Sequence, residues 1–163
     1  MAQLSDYTSL RVGGPARKFV EVGSESEIIA ALEAAGDSPV LIIGGGTNLL
    51  IADKGFDGTV IRITNSSLQA EVDACSGATL TIGAGENWDD FVATTLERGW
   101  AGLETLSGIP GNVGAAPIQN IGAYGHEVSE FITRVRTYDR QAKAIKTFTN
   151  SECEFGYRDS IFK

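Results

Sequence analysis

"IPGNVGAAPIQNIGAYG", residues 109–125, carries four glycines, two prolines and no charged side chain. Segments outside helices and strands are ordinarily polar, because their backbone groups face water. An uncharged, glycine-rich stretch of this length in an acidic chain must therefore cover something. Ile109, Val113, Ala115, Ala116, Ile118 and Ile121 can line a flat apolar slot, and the glycines let backbone N–H and C=O groups approach an occupant.

The rest of the chain sets limits on the occupant. Its 163 residues suit one domain or two small ones, and 42% hydrophobic content is enough for a packed core. A formal charge of −8 repels phosphate backbones, so nucleic acid is not expected as a partner. No apolar run is long enough to span a bilayer, and no charged segment leads into an apolar one at the N-terminus. No membrane association is expected, and the expected compartment is cytoplasmic. Cys75 and Cys153 lack metal-ligand spacing and read as two reduced, buried thiols, with a disulfide as the alternative. No metal site is expected. His126 is read as a bystander, with a base as the alternative.

Working outward, "RKFVEVG" (17–23) reads as a strand and "SESEIIAALEAAG" (24–36) as a helix. Ser24 and Glu27 fit a capping box, and Gly36 fits a stop. "SPVLIIG" (38–44) and "GTVIRIT" (58–64) read as strands, giving a βαββ unit over 1–66. After "NSS" (65–67), "QAEVDA" and "ATLTIGAG" read as a hairpin turning at "CSG". "NWDDFVATTLERG" (87–99) reads as a helix capped by Asn87, with Trp88, Phe91, Val92 and Leu96 on its apolar face and Gly99 as its end. "FITRVRTYD" and "AIKTFT" form a second hairpin. The tail is expected to make a short helix or turn, then a strand from Ser160. The fold class is α+β, with a second unit over 67–163.

Three places can carry chemistry. "LIIGGGTNLLI" follows a buried strand. Gly44 and Gly46 match the first two positions of a dinucleotide fingerprint, but Leu49 falls at the third, and no Gly-Lys-Ser/Thr follows. Gly44, Gly45 and Gly46 can still aim successive N–H groups at a phosphate, aided by Thr47 and Asn48. A plain tight turn is the alternative. The 109–125 stretch offers apolar faces with hydrogen bonds at the rim, which suits an isoalloxazine ring; packing on the protein's own core is the alternative. In "YRDSIFK" (157–163), Arg158 is a fixed cation suited to a carboxylate or a developing enolate, or else a surface partner of Asp159.

"LRVGGPA" (10–16), "IIGGGTNLLIAD" (42–53), "TIGAGENWDDFV" (81–92), "GLETLSGIPGNVGAAPIQNIGAYG" (102–125) and "YRDSIFK" together resemble the N-terminal part of the UDP-N-acetylenolpyruvoylglucosamine reductase (UDP-N-acetylmuramate dehydrogenase) family. The resemblance implies an FAD-binding domain of the vanillyl-alcohol oxidase type, with two α+β subdomains. It also implies an oxidoreductase of peptidoglycan synthesis. The implied reaction passes a hydride from NADPH, by way of the flavin, to the enolpyruvyl group of UDP-N-acetylglucosamine enolpyruvate. Gly44 to Asn48 would hold the FAD pyrophosphate, and Ser107, Ile109, Gly114, Ile118 and Gly122 would line the flavin. Tyr124, Tyr157 and Arg158 would bind substrate, with Arg158 catalytic. Family members continue past "YRDSIFK" into a substrate domain. The chain therefore reads as C-terminally truncated, with an incomplete second subdomain and an unpaired sheet edge near Lys163 able to self-associate. Another flavoprotein of the same fold, or a non-catalytic fragment, are the alternatives.

Overall fold

The computed structural model describes residues 1–73 and 77–163, which divide into two compact units, Met1–Ser66 and Ser67–Lys163. Cys75 and most of the expected "CSG" turn lie outside the described residues.

In the first unit, β1 (Ala16–Val22), α1 (Glu25–Ala35), β2 (Val40–Ile43) and β3 (Phe56–Ile63) form a three-stranded parallel sheet in the order β1-β3-β2. Phe19, Val60 and Leu41 lie side by side across the sheet. Alternation puts them on one face, where Leu4, Ala16, Ile43 and Val60 are buried with Tyr7, Leu49, Ile51 and Phe56 against them. α1 packs on β1 and β3. Ser24 caps it by accepting from the Glu27 N–H at 3.3 Å. The Glu27 carboxylate accepts from the Gly23 N–H, one residue earlier than a capping box requires.

β2 and β3 are consecutive and parallel, so the chain must return to the starting end of the sheet between them. Residues 44–55 do so without a helix, and Leu49 and Ile51 anchor this return to the core. It begins at the glycine triplet. Gly46 has φ +65°, and a Cβ there would lie 1.9 Å from the Tyr7 carbonyl oxygen. The residue type is therefore dictated by the approach of the segment before β1, which also donates the Ser9 N–H to the Gly46 carbonyl.

In the second unit, β4 (Leu68–Asp73) pairs antiparallel with β5 (Gly77–Ile82). α2 (Trp88–Glu97) follows, its Asn87 cap accepting from the N–H groups of Asp89 and Asp90. Trp88, Phe91 and Val92 are buried as expected, whereas Leu96 is 44% exposed. Thr95 takes the inner position, where its hydroxyl is satisfied by the Val92 carbonyl at 2.7 Å. The 109–125 stretch then packs Ala116 and Ile121, with Ile109 and Val113 beside them, onto the α2 core. It crosses a short ribbon, β6 (Gly122–Ala123) with β7 (His126–Glu127), whose turn residues Tyr124 and Gly125 both have positive φ, as a two-residue hairpin turn prefers. β8 (Arg134–Asp139) pairs with β9 (Ala144–Thr149); the expected strand start at Phe131 is lost to a 3₁₀ turn over Val128–Glu130.

The tail makes one 3₁₀ turn, Ser151–Cys153. No strand starts at Ser160. Arg158 sits at φ +54°, Gly156 and Asp159 bridge across it, and the Ser160 hydroxyl is committed to the Ile118 carbonyl at 2.7 Å. These bonds curl the chain instead of extending it, so the expected sheet edge near Lys163 does not form. Cys153 is a buried free thiol donating to the Thr149 carbonyl, and burial pushes its pKa up. Among the described residues no helix is long and apolar enough to cross a membrane, and no three metal-binding side chains cluster.

Candidate functional site

The first unit contains an open cleft of about 280 Å³ lined by Gly44, Gly45, Asp6, Tyr7, Thr8, Ser9, Arg11 and Arg62. It lies at the small end of the ~300–1,000 Å³ that encloses a drug-sized ligand. Arg62 lies over the Tyr7 ring, 5.3 Å from its centroid, and pairs with Glu21, its neighbour across the sheet. Arg11 is exposed, with φ +56°. Thr47 and Asn48 are exposed beyond the triplet and do not line the cleft. The two arginines were not singled out from the sequence. A usable signal was present for Arg62, which interrupts the apolar strand β3 and pairs with an acid on β1.

In the second unit, residues 106–114 run beside the start of α2. The Trp88 indole N–H donates to the Leu106 carbonyl at 2.7 Å. One carboxylate oxygen of Asp89 accepts from the Ser107 hydroxyl at 2.8 Å and from the Gly108 N–H at 2.6 Å. Those two bonds, the Gly108 one foremost, hold the Asp89 pKa below its ordinary value. The Val113 N–H meets the Glu86 carbonyl, and the Gly114 N–H meets the Ala84 carbonyl. A Cβ on Gly114 would lie 2.5 Å from that of Ala84. Gly114 thus serves a backbone contact within the protein, and Ile109 is half-buried in the same core. The uncharged stretch covers the N-terminal end of α2.

Its second half meets the tail. Asn120 is fully buried, with φ +46°. Its amide donates to Glu127 at 2.8 Å and to the Gly156 carbonyl at 3.0 Å, and its oxygen accepts from the Ser129 N–H at 3.1 Å. The Arg158 guanidinium donates to the Gly122 carbonyl at 2.8 Å, rather than pairing with Asp159, which faces Lys163. Arg158 is also 5.9 Å from the Tyr157 ring centroid. Three bonds therefore bring Ile118, Gly122 and Arg158 together, while Tyr124 and Tyr157 stand 87% and 86% exposed. His126 pairs with Glu130 at 2.9 Å, and this bond draws the Glu130 pKa down.

One further polar atom lies beside the loop. The Asn112 side-chain oxygen is buried without a hydrogen-bond partner. Its amide nitrogen faces the Gly85 and Glu86 carbonyls, so exchanging the two ends would only set acceptor against acceptor. That oxygen is sealed in by the protein and offers a ligand no contact; what the loop leaves open is apolar, with Ile118 42% exposed, which suits the apolar body of a flavin.

The chain was compared with known proteins. Residues 16–147 match the family model described as FAD binding domain. The chain is 52% identical over 162 residues to UDP-N-acetylenolpyruvoylglucosamine reductase of Cutibacterium acnes, covering 98% of this chain and 43% of that protein. It is 48% identical to the Thermobifida fusca protein of the same name, over 98% of this chain and 46% of the relative. The crystal structure of UDP-N-acetylenolpyruvylglucosamine reductase (MurB) from Thermus caldophilus superposes with a TM-score of 0.76 at 30% identity, over 98% of this chain and 55% of that one. The chain spans less than half the length of the two curated relatives. With most of its residues inside the family model, and an α+β fold shared with a solved reductase, the chain belongs to the FAD binding domain family.

Proposed function

We propose that these 163 residues are the FAD-binding part of a cytoplasmic, NADPH-dependent reductase that converts UDP-N-acetylglucosamine enolpyruvate to UDP-N-acetylmuramate in peptidoglycan synthesis. The observation that carries the reading is 52% identity over 98% of the chain to a reductase so named. When bound, FAD supplies the chemistry of hydride acceptance and donation. The chain supplies the rest. Gly44 and Gly45 hold the pyrophosphate at the cleft, Gly46 shapes the turn behind them, Thr47 and Asn48 border it from outside the cleft, and Arg11 adds positive charge there, while Arg62 is paired with Glu21. Ser107, Ile109, Gly114, Ile118 and Gly122 form the flavin face, in which Gly114 acts through packing. Arg158 steadies the substrate carboxylate and the negative charge that develops on it, with Tyr124 and Tyr157 as further substrate contacts. A guanidinium suits that role because its fork of donors matches a carboxylate and it stays charged.

The test is to add FAD to the purified chain and pass the mixture through gel filtration. Retention of about one flavin per chain, with altered visible absorption, is expected. A colourless protein peak would refute the assignment of the cofactor to these residues.

A further inference from the structure

We propose that Asp89, a residue none of the assigned roles includes, is a positioning residue for the cofactor face: it fixes the Ser107 hydroxyl so that Ser107 meets FAD only as a hydrogen-bond acceptor. The inference rests on the reading of Ser107 as a flavin-facing residue.

A serine hydroxyl has one proton and two acceptor sites. An ionised carboxylate only accepts, so in the Asp89–Ser107 bond the proton must be the serine's, directed at Asp89. The same carboxylate oxygen also takes the Gly108 N–H, the neighbouring backbone donor. Ser107 is exposed, yet what remains for a ligand is its lone pairs.

This polarity selects which part of FAD is met. Phosphate oxygens, the ring carbonyls and the unprotonated ring nitrogens of oxidised flavin only accept, so none can bond to Ser107. The ring imide N–H, the ribityl and ribose hydroxyls and the adenine amine can donate. Ser107 therefore contacts one of these donors and not the pyrophosphate. Asp89 is held in place by α2, whose first turn also fixes Leu106 through Trp88, so the hydroxyl's direction is set by a helix rather than by the loop itself.

The experiment measures FAD affinity by flavin fluorescence for the wild-type chain and for D89A, D89N, S107A, S107T, D89A/S107A and D90N, with melting temperatures taken without FAD. Asp90 lies in the same helical turn and controls for loss of charge at the helix start. S107A and D89A are each expected to weaken binding about tenfold. The double variant should be no more than about twofold weaker than either single one. S107T should keep near wild-type affinity, and D90N should fall within about twofold of it. Additive losses in the double variant, unchanged affinity in D89A, or an equal loss in D90N would each overturn the positioning role. If D89A does not fold, D89N decides: its amide oxygen can still accept from Ser107 and Gly108, so affinity within about twofold of wild type is expected, and a tenfold loss overturns the proposal. A wild-type chain that binds no FAD overturns the cofactor assignment and this inference with it. Wild-type binding with an indifferent D89A overturns the inference alone.

Discussion

The side-chain amide of Asn120 donates to the Gly156 carbonyl at 3.0 Å, joining the uncharged loop to the segment that bears Arg158. The bond is buried, and the same side chain also engages Glu127 and the Ser129 N–H. Removing it leaves the Ser129 N–H without its partner, at a cost of about 1–3 kcal/mol if water cannot reach it, and takes one of two donors from the Gly156 carbonyl, which keeps the Asp159 N–H. N120A is expected to lower stability by at least about 2 kcal/mol in urea denaturation. It should also speed amide exchange at Ser129. A stability change below about 0.5 kcal/mol would show that the junction is not structural.

Gly114 is packed against the Ala84 backbone, so G114A must displace one of the two segments. Overpacking of this kind costs about 1–3 kcal/mol. The expected readout is a lower melting temperature together with weaker FAD binding, since the segment that moves is the proposed flavin wall. A variant as stable as wild type would show that Ala84 yields freely.

Arg158 is held through one donor on the Gly122 carbonyl, and a guanidinium has further donors to offer. In the reductase reaction proposed above, loss of a donor aimed at developing charge costs roughly 10²–10³-fold in rate. R158A is therefore expected to lower kcat by about that factor. R158K should fall between, because a point charge replaces a fork. Steady-state kinetics on the polypeptide carrying these residues in full length would check this. An unchanged kcat with a raised KM would reassign Arg158 to simple binding.

Asp89, Glu130, Asp139 and Glu152 have depressed pKa values. Asp89 accepts chiefly from Gly108, Glu130 chiefly from His126, Asp139 chiefly from the Ala142 N–H and Glu152 chiefly from the Thr149 N–H. A folded pKa below the unfolded one means that stabilisation is complete above the unfolded value, near 4, and is lost as pH falls through the folded value. Urea midpoints are thus expected to stay flat from neutrality to about pH 5 and to fall below about pH 4. D139N should flatten that fall. A midpoint that rises on acidification would contradict the sign.

Much of the architecture was legible because it is written in short-range bonds. Ser24 with Glu27, Asn87 with Asp89 and Asp90, and Gly99 at φ +73° all mark helix ends within a few residues. The alternation of β1 and the apolar run of β2 likewise depend only on neighbours in the chain. Positions whose state depends on distant partners were misread or missed. Leu96 has the right period for an inner face, but Thr95 satisfies its own hydroxyl within the helix and takes that place. Ser160 begins an apolar run that resembles a strand, yet its hydroxyl is claimed by Ile118.

By itself, then, the sequence determined the βαββ opening, both helix boundaries, the hairpins and the family resemblance, since propensity, capping and periodicity act over a few residues. The tertiary structure decided what the uncharged loop covers, the curl of the tail, the clasp of Asn120 on Gly156 and the partners of Asp89, Arg62 and Arg158. Each of those outcomes joins groups far apart in the chain, and which donor finds which acceptor is settled only when packing brings them within about 3 Å.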